Sequence, residues 1–250
     1  MENGVDATLA ANVGIAFNND INRRVFAYSK PDPDGRDKMF IKCVTQTGTS
    51  TAAITQGATA LILGKMEIND DGNDTVSVWV NPDLSNGTNS IGTATVTKSN
   101  TNFWDAGGLT SIGVFGNRGS LFDNLYISDG PDAFNEVTGV SKLVIADFND
   151  MTGGDLNGQT GGTGLTGNWA GDIAVEVVSG DLTLSPALLA STGYGITQSG
   201  TAQSAEANDD GTVSAGRTLA LTGNTIWFSY LMKNGVHVDD GVAQMGLKFN

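Results

Sequence analysis

The sequence contains very few of the residues on which most catalytic and metal centres depend. Cys43 is the one cysteine and His237 the one histidine in 250 residues. A single cysteine excludes a disulfide within the chain, and one thiol with one imidazole do not supply the ligands of a transition-metal site. A nucleophilic triad would depend on His237, which lies in a turn-rich stretch, and the sequence has no G-x-S-x-G motif.

Positive charge and long apolar runs are scarce as well. The chain has 13 Lys and Arg against 27 Asp and Glu, which gives a formal net charge of -14. Such a surface repels phosphate backbones and anionic lipids, so we expect no nucleic acid among its partners. No apolar run approaches the roughly 20 residues that span a bilayer, so we expect no membrane insertion.

Turn-forming and strand-forming residues are abundant. The sequence has 34 glycines and many Thr, Asn and Ser, while only 16% of its residues are charged. This composition is typical of extracellular β proteins. The N-terminal stretch MENGVDATLAANVG lacks the basic and apolar regions of a secretory signal. We therefore expect a mature or internal segment of an extracellular or cell-surface protein.

Strand signals recur at short spacing along the chain. The predicted strands are Val13–Phe17, Arg24–Tyr28, Met39–Val44, Ala58–Ile68, Thr75–Asn81, Thr110–Phe115, Phe122–Ile127, Leu143–Phe148, Ile173–Val178, Arg217–Thr222, Thr225–Lys233 and Gln244–Phe249. Alternation places Val76, Val78 and Val80 on one face, and the continuously apolar Thr225–Leu231 is expected to be a central strand buried on both faces. Asn-Gly and Asp-Gly turns, among them Asn86-Gly87 and Asp129-Gly130, separate the strands, and no window has a helical apolar stripe. The pattern predicts an all-β, antiparallel sandwich or barrel.

Two parts of the sequence resemble the two halves of one known module. In the second half, Ile145-Ala146-Asp147-Phe148, "GGDLNGQTGGTGLTGNW" and "NTIWFSYLMKNG" resemble the opening half of concanavalin A-like (LamG-like) jelly rolls of bacterial secreted or surface proteins. In the first half, "VSVWVNPDLS" and "SIGVFGNRGSLFDNLYISDG" resemble the closing half. The resemblance implies an antiparallel jelly-roll β-sandwich, with Asp123 in its last core strand and calcium near its rim.

The order of these halves is rotated relative to the family. Residues 1–128 are interpreted as the closing half, 129–142 as a linker and 143–250 as the opening half, giving one circularly permuted sandwich or halves of two adjacent repeats. Neither half can close its own sandwich, because each would expose an apolar face and unpaired strand edges. We favour closure within one chain, where the local concentration of the halves is high. The alternative is a head-to-tail exchange between chains.

Two acidic turns are candidate sites for a structural Ca2+. Calcium binds six to eight oxygens on a sharply turning loop. The candidate ligands are Asp32, Asp34 and Asp37 in the first turn and Asn69, Asp70, Asp71 and Asp74 in the second. Neither turn completes the helical calcium loop, since the position that requires glutamate, counted from Glu67, is Val78. Solvated hairpin turns are the alternative interpretation.

Two tryptophans are candidates for carbohydrate binding. Trp104 is followed by Asp105, and Trp169 is preceded by Asn168, in polar and Gly-rich surroundings. A loop tryptophan beside an amide or carboxylate can stack on a pyranose ring and bind its hydroxyls. Alternatively, each tryptophan covers an open end of the sandwich. Trp79 and Trp227 lie within predicted strands and are assigned to the core.

Catalytic motifs are absent from the sequence. Retaining glycosidases on this fold carry E-x-D-x-x-E on a strand, and the sequence has no such pattern. Residues 162–167 match G-x-G-x-x-G, but a tryptophan and a predicted strand follow, and not the helix that phosphate binding requires. We expect a non-catalytic module that binds a glycan or a cell-surface or matrix partner. The alternatives are a structural subunit that assembles with other copies of itself and a polysaccharide hydrolase or lyase.

Overall fold

The computed structural model of the chain describes residues 13–17, 20–28, 36–43, 46–55, 58–69, 72–101, 111–117, 120–138, 144–146, 148, 150–171, 175–179, 182, 203–207, 213–219, 221, 223–233 and 244–248. Its strands are β1 (Val13–Phe17), β2 (Asp20–Tyr28), β3 (Arg36–Cys43), β4 (Gln46–Thr55), β5 (Thr59–Glu67), β6 (Asn73–Val80), β7 (Val96–Thr101), β8 (Ser111–Asn117), β9 (Ser120–Ser128), β10 (Val144–Ala146), β11 (Gly154–Asp155), β12 (Thr166–Gly171), β13 (Val175–Ser179), β14 (Gln203–Ala207), β15 (Val213–Thr218), β16 (Thr225–Lys233) and β17 (Gln244–Lys248). A five-residue helix, α1 (Ala133–Val137), and a 3-10 turn (Gly87–Asn89) complete the described elements. Neither is long and apolar enough to cross a membrane.

The described strands form two antiparallel sheets. One has the order β12-β15-β8-β17-β2-β3-β4, with β1 paired to β2. The other has the order β11-β13-β14-β9-β16-β5-β6-β7, with β10 paired to β9. The prediction of a mainly β protein with antiparallel sheets is confirmed.

In each sheet, one strand of the second half of the sequence lies between strands of the first half. β16 lies between β9 and β5, and β17 lies between β8 and β2. β14 also pairs with β9, at the end opposite to β10. Within this chain, the strands that follow the predicted linker therefore pair with strands that precede it.

The two sheets share one apolar core, which we call the inner cluster. It takes Met39, Ile41 and Ile112 from the first sheet and residues such as Ile62 and Phe228 from the second. The alternation predicted for β6 is confirmed, because Val76 and Val78 are buried in this cluster and Val80 packs against it. Burial of this apolar surface is the main force that holds the sheets together.

The opposite face of the nine-stranded sheet is also buried. Trp79, Tyr126, Trp227 and Leu231 point away from the inner cluster and form an outer cluster with residues from the loops and α1. β16 is therefore buried on both faces, as its continuous apolar sequence predicts. We call residues 81–95 and 129–138, which lie over this face, the cover; they contribute Leu84, Phe134 and Val137 among others to the cluster.

A bulge in β9 determines which of its side chains face the cover. The pairing with β16 shifts register between Ser229 and Leu231, opposite Asn124, whose φ is 51°. The extra residue reverses the alternation, so that Leu125 and Ile127 enter the inner cluster and Tyr126 the outer one. The Tyr126 hydroxyl donates to Asn124 Oδ1 at 2.9 Å, which ties the bulge to the outer face.

Several predicted strand boundaries differ from the structure. The predicted Leu143–Phe148 strand ends at Ala146, and Phe148 adopts a φ of 59° with its ring fully buried. The predicted strand at 217–222 instead spans Val213–Thr218. The segment interpreted as a linker contains α1, and Ala133, Phe134 and Val137 on that helix are buried. Its first ten residues, 129–138, are thus packed structure and not a bare spacer.

Candidate functional site

A cleft of about 790 Å3 opens where the cover meets the start of β16. Three parts of the chain line it: residues 86–89, residues 129–135, and Asn224, Thr225 and Trp227. The first two belong to the cover and the third leads into a strand at the centre of the sheet. The cleft therefore lies at the edge of the outer cluster.

Trp227 anchors the floor of the cleft. Its ring stacks on Trp79 at a centroid distance of 5.8 Å and meets Phe134 edge-on at 5.1 Å. Trp79 Nε1 donates to the carbonyl oxygen of Gly92 at 3.0 Å, which fixes the neighbouring ring. Only 9% of Trp227 is exposed, so it contributes a rigid apolar support and little free ring surface. The prediction that Trp79 and Trp227 belong to the core is confirmed.

The wall formed by residues 129–135 is tied to the sheet by polar side chains. Asp129 Oδ2 accepts a hydrogen bond from the Gly223 amide at 2.7 Å. The buried hydroxyl of Ser128 donates to the Glu136 carboxylate, and that of Ser229 donates to the Val137 carbonyl. These bonds connect α1 to β9 and to β16, and Asp129 to the residues just before β16. The wall is therefore held in place by the sheet beneath it.

The opposite wall is a compact turn that holds its own shape. Ser90 Oγ donates to the Asp83 carbonyl at 2.7 Å and accepts from the Asn86 amide at 3.0 Å. The Ser85 amide donates to Asp83 Oδ1, and this bond lowers the pKa of the exposed Asp83 carboxyl. Gly87 lies at a φ of 56°, a conformation that favours glycine. The turn leaves the side chains of Thr88 and Asn89 exposed at the cleft.

The lining combines hydrogen-bonding groups of several kinds. It presents four amides (Asn86, Asn89, Asn135 and Asn224), two hydroxyls (Thr88 and Thr225) and two carboxylates (Asp129 and Asp132). No Lys, Arg or His is among the described residues that line it. Amides and carboxylates beside a fixed aromatic support can hold a ligand rich in hydroxyl groups.

Trp169 does not form the predicted carbohydrate platform. It is only 1% exposed and packs against Phe148 at a centroid distance of 5.9 Å. An indole buried to this extent offers no face on which a pyranose ring can stack, and it belongs instead to the inner cluster. Asn168 is exposed beside it. Trp104 and Asp105 lie outside the described residues.

The Gly-rich loop before Trp169 wraps around a buried arginine. Arg217 is 6% exposed, and its Nη2 donates to the Gly167 carbonyl at 2.6 Å while its Nη1 donates to that of Gly161. Burial lowers the pKa of Arg217, and the negative charge of Asp150 opposes that shift. Asp150 itself accepts from the Gly162 amide at 2.9 Å. The loop leads into β12 and not into a helix, so it lacks the context of a phosphate-binding loop.

The second acidic turn is closed by its own side chains. Asp74 is 2% exposed and accepts a hydrogen bond from the Asn69 amide at 2.9 Å, while Asn69 Nδ2 donates to the Asn73 carbonyl at 2.8 Å. Asn69 and Asp74, which were both predicted as calcium ligands, thus make hydrogen bonds within the hairpin. In the part of the chain that the structure describes, no three His, Cys, Asp or Glu side chains are grouped to hold a metal ion.

The side chains of the other candidate calcium ligands lie outside the described part of the chain. Asp32, Asp34, Asp70 and Asp71 lie outside the described residues. Asp37 belongs to β3, but its side chain is also outside the described part. Calcium at these turns stays a prediction.

Sequence reasoning missed the cleft, although it identified two of the turns that form it. Asn86-Gly87 and Asp129-Gly130 both have the composition of hairpin turns. Nothing in the local pattern shows that the two turns face each other across Trp227. The signal in the sequence was the cluster of Asn and Asp residues around both turns.

Comparison of the chain with protein-family models, curated proteins and solved structures finds no match.

Proposed function

We propose that the chain is a non-catalytic, extracellular or cell-surface module that binds carbohydrate in the cleft between residues 86–89 and 129–135. The observation that carries the proposal is the lining of this cleft: four amides, two hydroxyls and two carboxylates around an aromatic support. Sugar hydroxyls both donate and accept hydrogen bonds, and this mixture of groups meets both needs. The walls are held by hydrogen bonds in the protein, so little ordering is required on binding.

The exposure and the hydrogen bonds of the carboxylates near the cleft favour binding without catalysis. Glycoside hydrolysis requires one carboxylic acid in desolvated surroundings and a second carboxylate across the scissile bond. Asp132 is exposed, and Asp129 already accepts a hydrogen bond from Gly223. Glu136, the next carboxylate along the chain, accepts from Ser128. A hydrolase or lyase is therefore the less favoured function.

The fold that we propose for this module is a jelly roll with its halves in rotated order. Two observations support it: in each sheet one strand of the second half lies between strands of the first half, and Asp123, which the resemblance places in the last core strand, is fully buried in β9. Asp123 accepts hydrogen bonds from the amides of Asn124 and Leu182 at 2.7 and 3.1 Å. It thereby joins the two halves of the sequence.

Calorimetric titration with neutral oligosaccharides, chosen from a glycan array, tests the binding function. We expect the double substitution Asn89→Ala with Asn224→Ala to weaken binding at least tenfold, since each amide bond to a ligand contributes about 1 kcal/mol. Asn168→Ala is the matched control, because this exposed amide lies on β12, away from the cleft. Loss of binding in the control, with normal binding in the double variant, would overturn the proposed site.

A structural subunit built by strand exchange is the second candidate function. The observation that favours it is the position of β16, which bridges β5 and β9 although it comes from the other half of the sequence. A second copy could supply this strand in place of the chain's own. Light scattering over a range of concentrations separates the two functions: a monomer at all concentrations favours the binding module, and growing polymers favour the subunit.

A structural Ca2+ in the acidic turns is part of the proposal for this fold. We expect a chelator to lower the melting temperature by several degrees and added calcium to restore it. A ligand present at about 100 times its dissociation constant adds about 2.7 kcal/mol to the free energy of unfolding. Identical melting curves in chelator and in calcium would leave the hairpin-turn interpretation.

A further inference from the structure

We propose that the cleft prefers saccharides that carry a protonated amino group over neutral ones, and that it rejects uronates and sulfated sugars. This inference rests on the proposed carbohydrate-binding function and adds the chemical class of the ligand. It follows from the charges around the cleft, which are of one sign in the described lining.

Two carboxylates lie in one wall of the cleft. Asp129 is half-buried and bonded to the Gly223 amide, which fixes its orientation. Asp132 is exposed, and its side chain makes no capping hydrogen bond to α1. The carboxylate of Asp132 is therefore the group that can turn toward a ligand, while Asp129 adds a fixed negative charge three residues earlier.

No Lys, Arg or His is among the described residues that line the cleft. Lys65 Nζ lies 5.8 Å from the centre of the Trp227 ring. Lys65 Nζ also donates to Glu67 Oε1 at 2.6 Å, so its charge is balanced on the sheet. The overall net charge of -14 acts in the same direction as the local carboxylates.

The amides complete the recognition of an amino sugar. An ammonium group donates hydrogen bonds and would meet a carboxylate, while the neighbouring hydroxyls would meet Asn89, Asn135 and Thr88. An ionised acceptor binds such a donor about twice as strongly as a neutral one does. A uronate would instead place like charges together, with no described basic group beside them.

The test compares four tetrasaccharides: one of glucosamine, its N-acetylated form, a neutral glucan and a galacturonan. Calorimetry is done at mildly acidic pH, where the amine is protonated, at low and at high ionic strength. We expect the glucosamine oligomer to bind about tenfold more tightly than the neutral glucan at low salt, and this preference to shrink at high salt as the charges are screened. The galacturonan should show no binding.

Two matched variants assign the preference to the cleft. Asp132→Asn keeps the shape of the side chain and removes its charge, and should abolish most of the preference, since the charge-assisted bond is lost. Asp155→Asn makes the same change in net charge on β11, where an amide oxygen can still accept from the Asn157 amide, and should leave the preference intact.

The outcomes separate this inference from the proposed function. Binding of the neutral glucan that depends on Asn89, without tighter binding of glucosamine, overturns the charge preference and keeps the carbohydrate site. Equal loss of preference in Asp155→Asn would attribute it to net charge and would also overturn the inference. If no oligosaccharide binds at all, the proposed function and the preference fail together.

Discussion

The two faces of the nine-stranded sheet are both buried, but by different means. The inner face packs against the other sheet, the one that contains β8 and β17, and its cluster is made of aliphatic, methionine and aromatic side chains. The outer face is covered by loops and by the five-residue helix α1, and its cluster contains Trp79 and Trp227. Three buried polar side chains of the sheet bond to groups outside it on this side: Asp123, Ser128 and Ser229.

This difference follows from the hydrogen-bonding needs of the layer on each side. A sheet satisfies its own backbone groups, so apolar side chains suffice where two sheets meet. A cover of loops leaves amides and carbonyls without partners, and each unsatisfied group costs about 1–3 kcal/mol when buried. Asp123 accepts from the Leu182 amide and Ser229 donates to the Val137 carbonyl, which meets this need. The outer face is thus held by directional bonds, and the cleft forms where these bonds place the cover.

The largest effect is expected from removing the aromatic centre of the inner face. Phe228 is fully buried beside Tyr230, at a centroid distance of 6.5 Å. Phe228→Ala should lower the free energy of unfolding by about 3–5 kcal/mol, because the cavity between two sheets cannot collapse. Chemical denaturation measures the change. A loss below 1 kcal/mol would mean that the two sheets do not depend on this side chain.

Gly64 tests the packing around Phe228 by adding a group where Phe228→Ala removes one. A Cβ on Gly64 would lie 1.8 Å from Phe228 Cζ, because the ring lies directly over this glycine on the neighbouring strand. We expect Gly64→Ala to cost about 1–3 kcal/mol through overpacking. The same substitution in a Phe228→Ala background should cost almost nothing, since the clash is with that ring. Equal costs in both backgrounds would contradict this explanation.

Asp123 tests whether the outer face depends on directional bonds. Asp123→Ala removes the acceptor of the Leu182 and Asn124 amides and should cost about 1–3 kcal/mol. Asp123→Asn keeps one acceptor oxygen and should cost less. If alanine and asparagine are equally stable in denaturant titrations, the buried carboxylate is not what holds this side of the sheet.

A change at Ser229 should affect both the stability of the cover and ligand binding in the cleft. Its hydroxyl donates to the Val137 carbonyl at the end of α1. Ser229→Ala should cost about 1 kcal/mol of stability and should also weaken oligosaccharide binding, because the wall that carries Asp129 and Asp132 loses an anchor. The Phe228→Ala variant, measured under folding conditions, is the comparison: it should lose stability without this effect on binding. Unchanged binding in Ser229→Ala would contradict the expectation that this bond supports ligand binding in the cleft.

The smallest effect concerns a polar group on the inner face. The Tyr230 hydroxyl is buried without a hydrogen-bond partner among the described residues, and burial raises the pKa of the phenol. The unfolded chain therefore loses the phenol proton at a lower pH than the folded protein does, and the free energy of unfolding falls as the pH rises above the unfolded pKa of about 10. Tyr230→Phe should therefore be neutral or stabilising by up to about 1 kcal/mol at neutral pH, and should make stability less sensitive to alkali. Thermal unfolding across this pH range checks both expectations.

The inner face could be predicted from sequence because it depends on local alternation. Apolar residues at every second position of β6 and the unbroken run in β16 determine burial before any partner is known. Val13–Phe17 and Thr225–Lys233 have the predicted bounds. The missed strands, such as β4, β12 and β14, consist largely of Thr, Ser, Gly, Gln and Ala, and their neighbours in the sheet determine their conformation.

The outer cluster and the cleft depend on tertiary structure. The sequence by itself established a mainly β chain, an acidic surface and turns at Asn86-Gly87 and Asp129-Gly130. Which turns meet depends on the pairing of β16 with β5 and β9, which lie far from it along the chain. The short helix α1 has too few residues to show a periodic pattern, and packing on the outer face stabilises it. Local patterns specify which side of a strand is buried, while only the paired sheet brings distant polar groups together around one cavity.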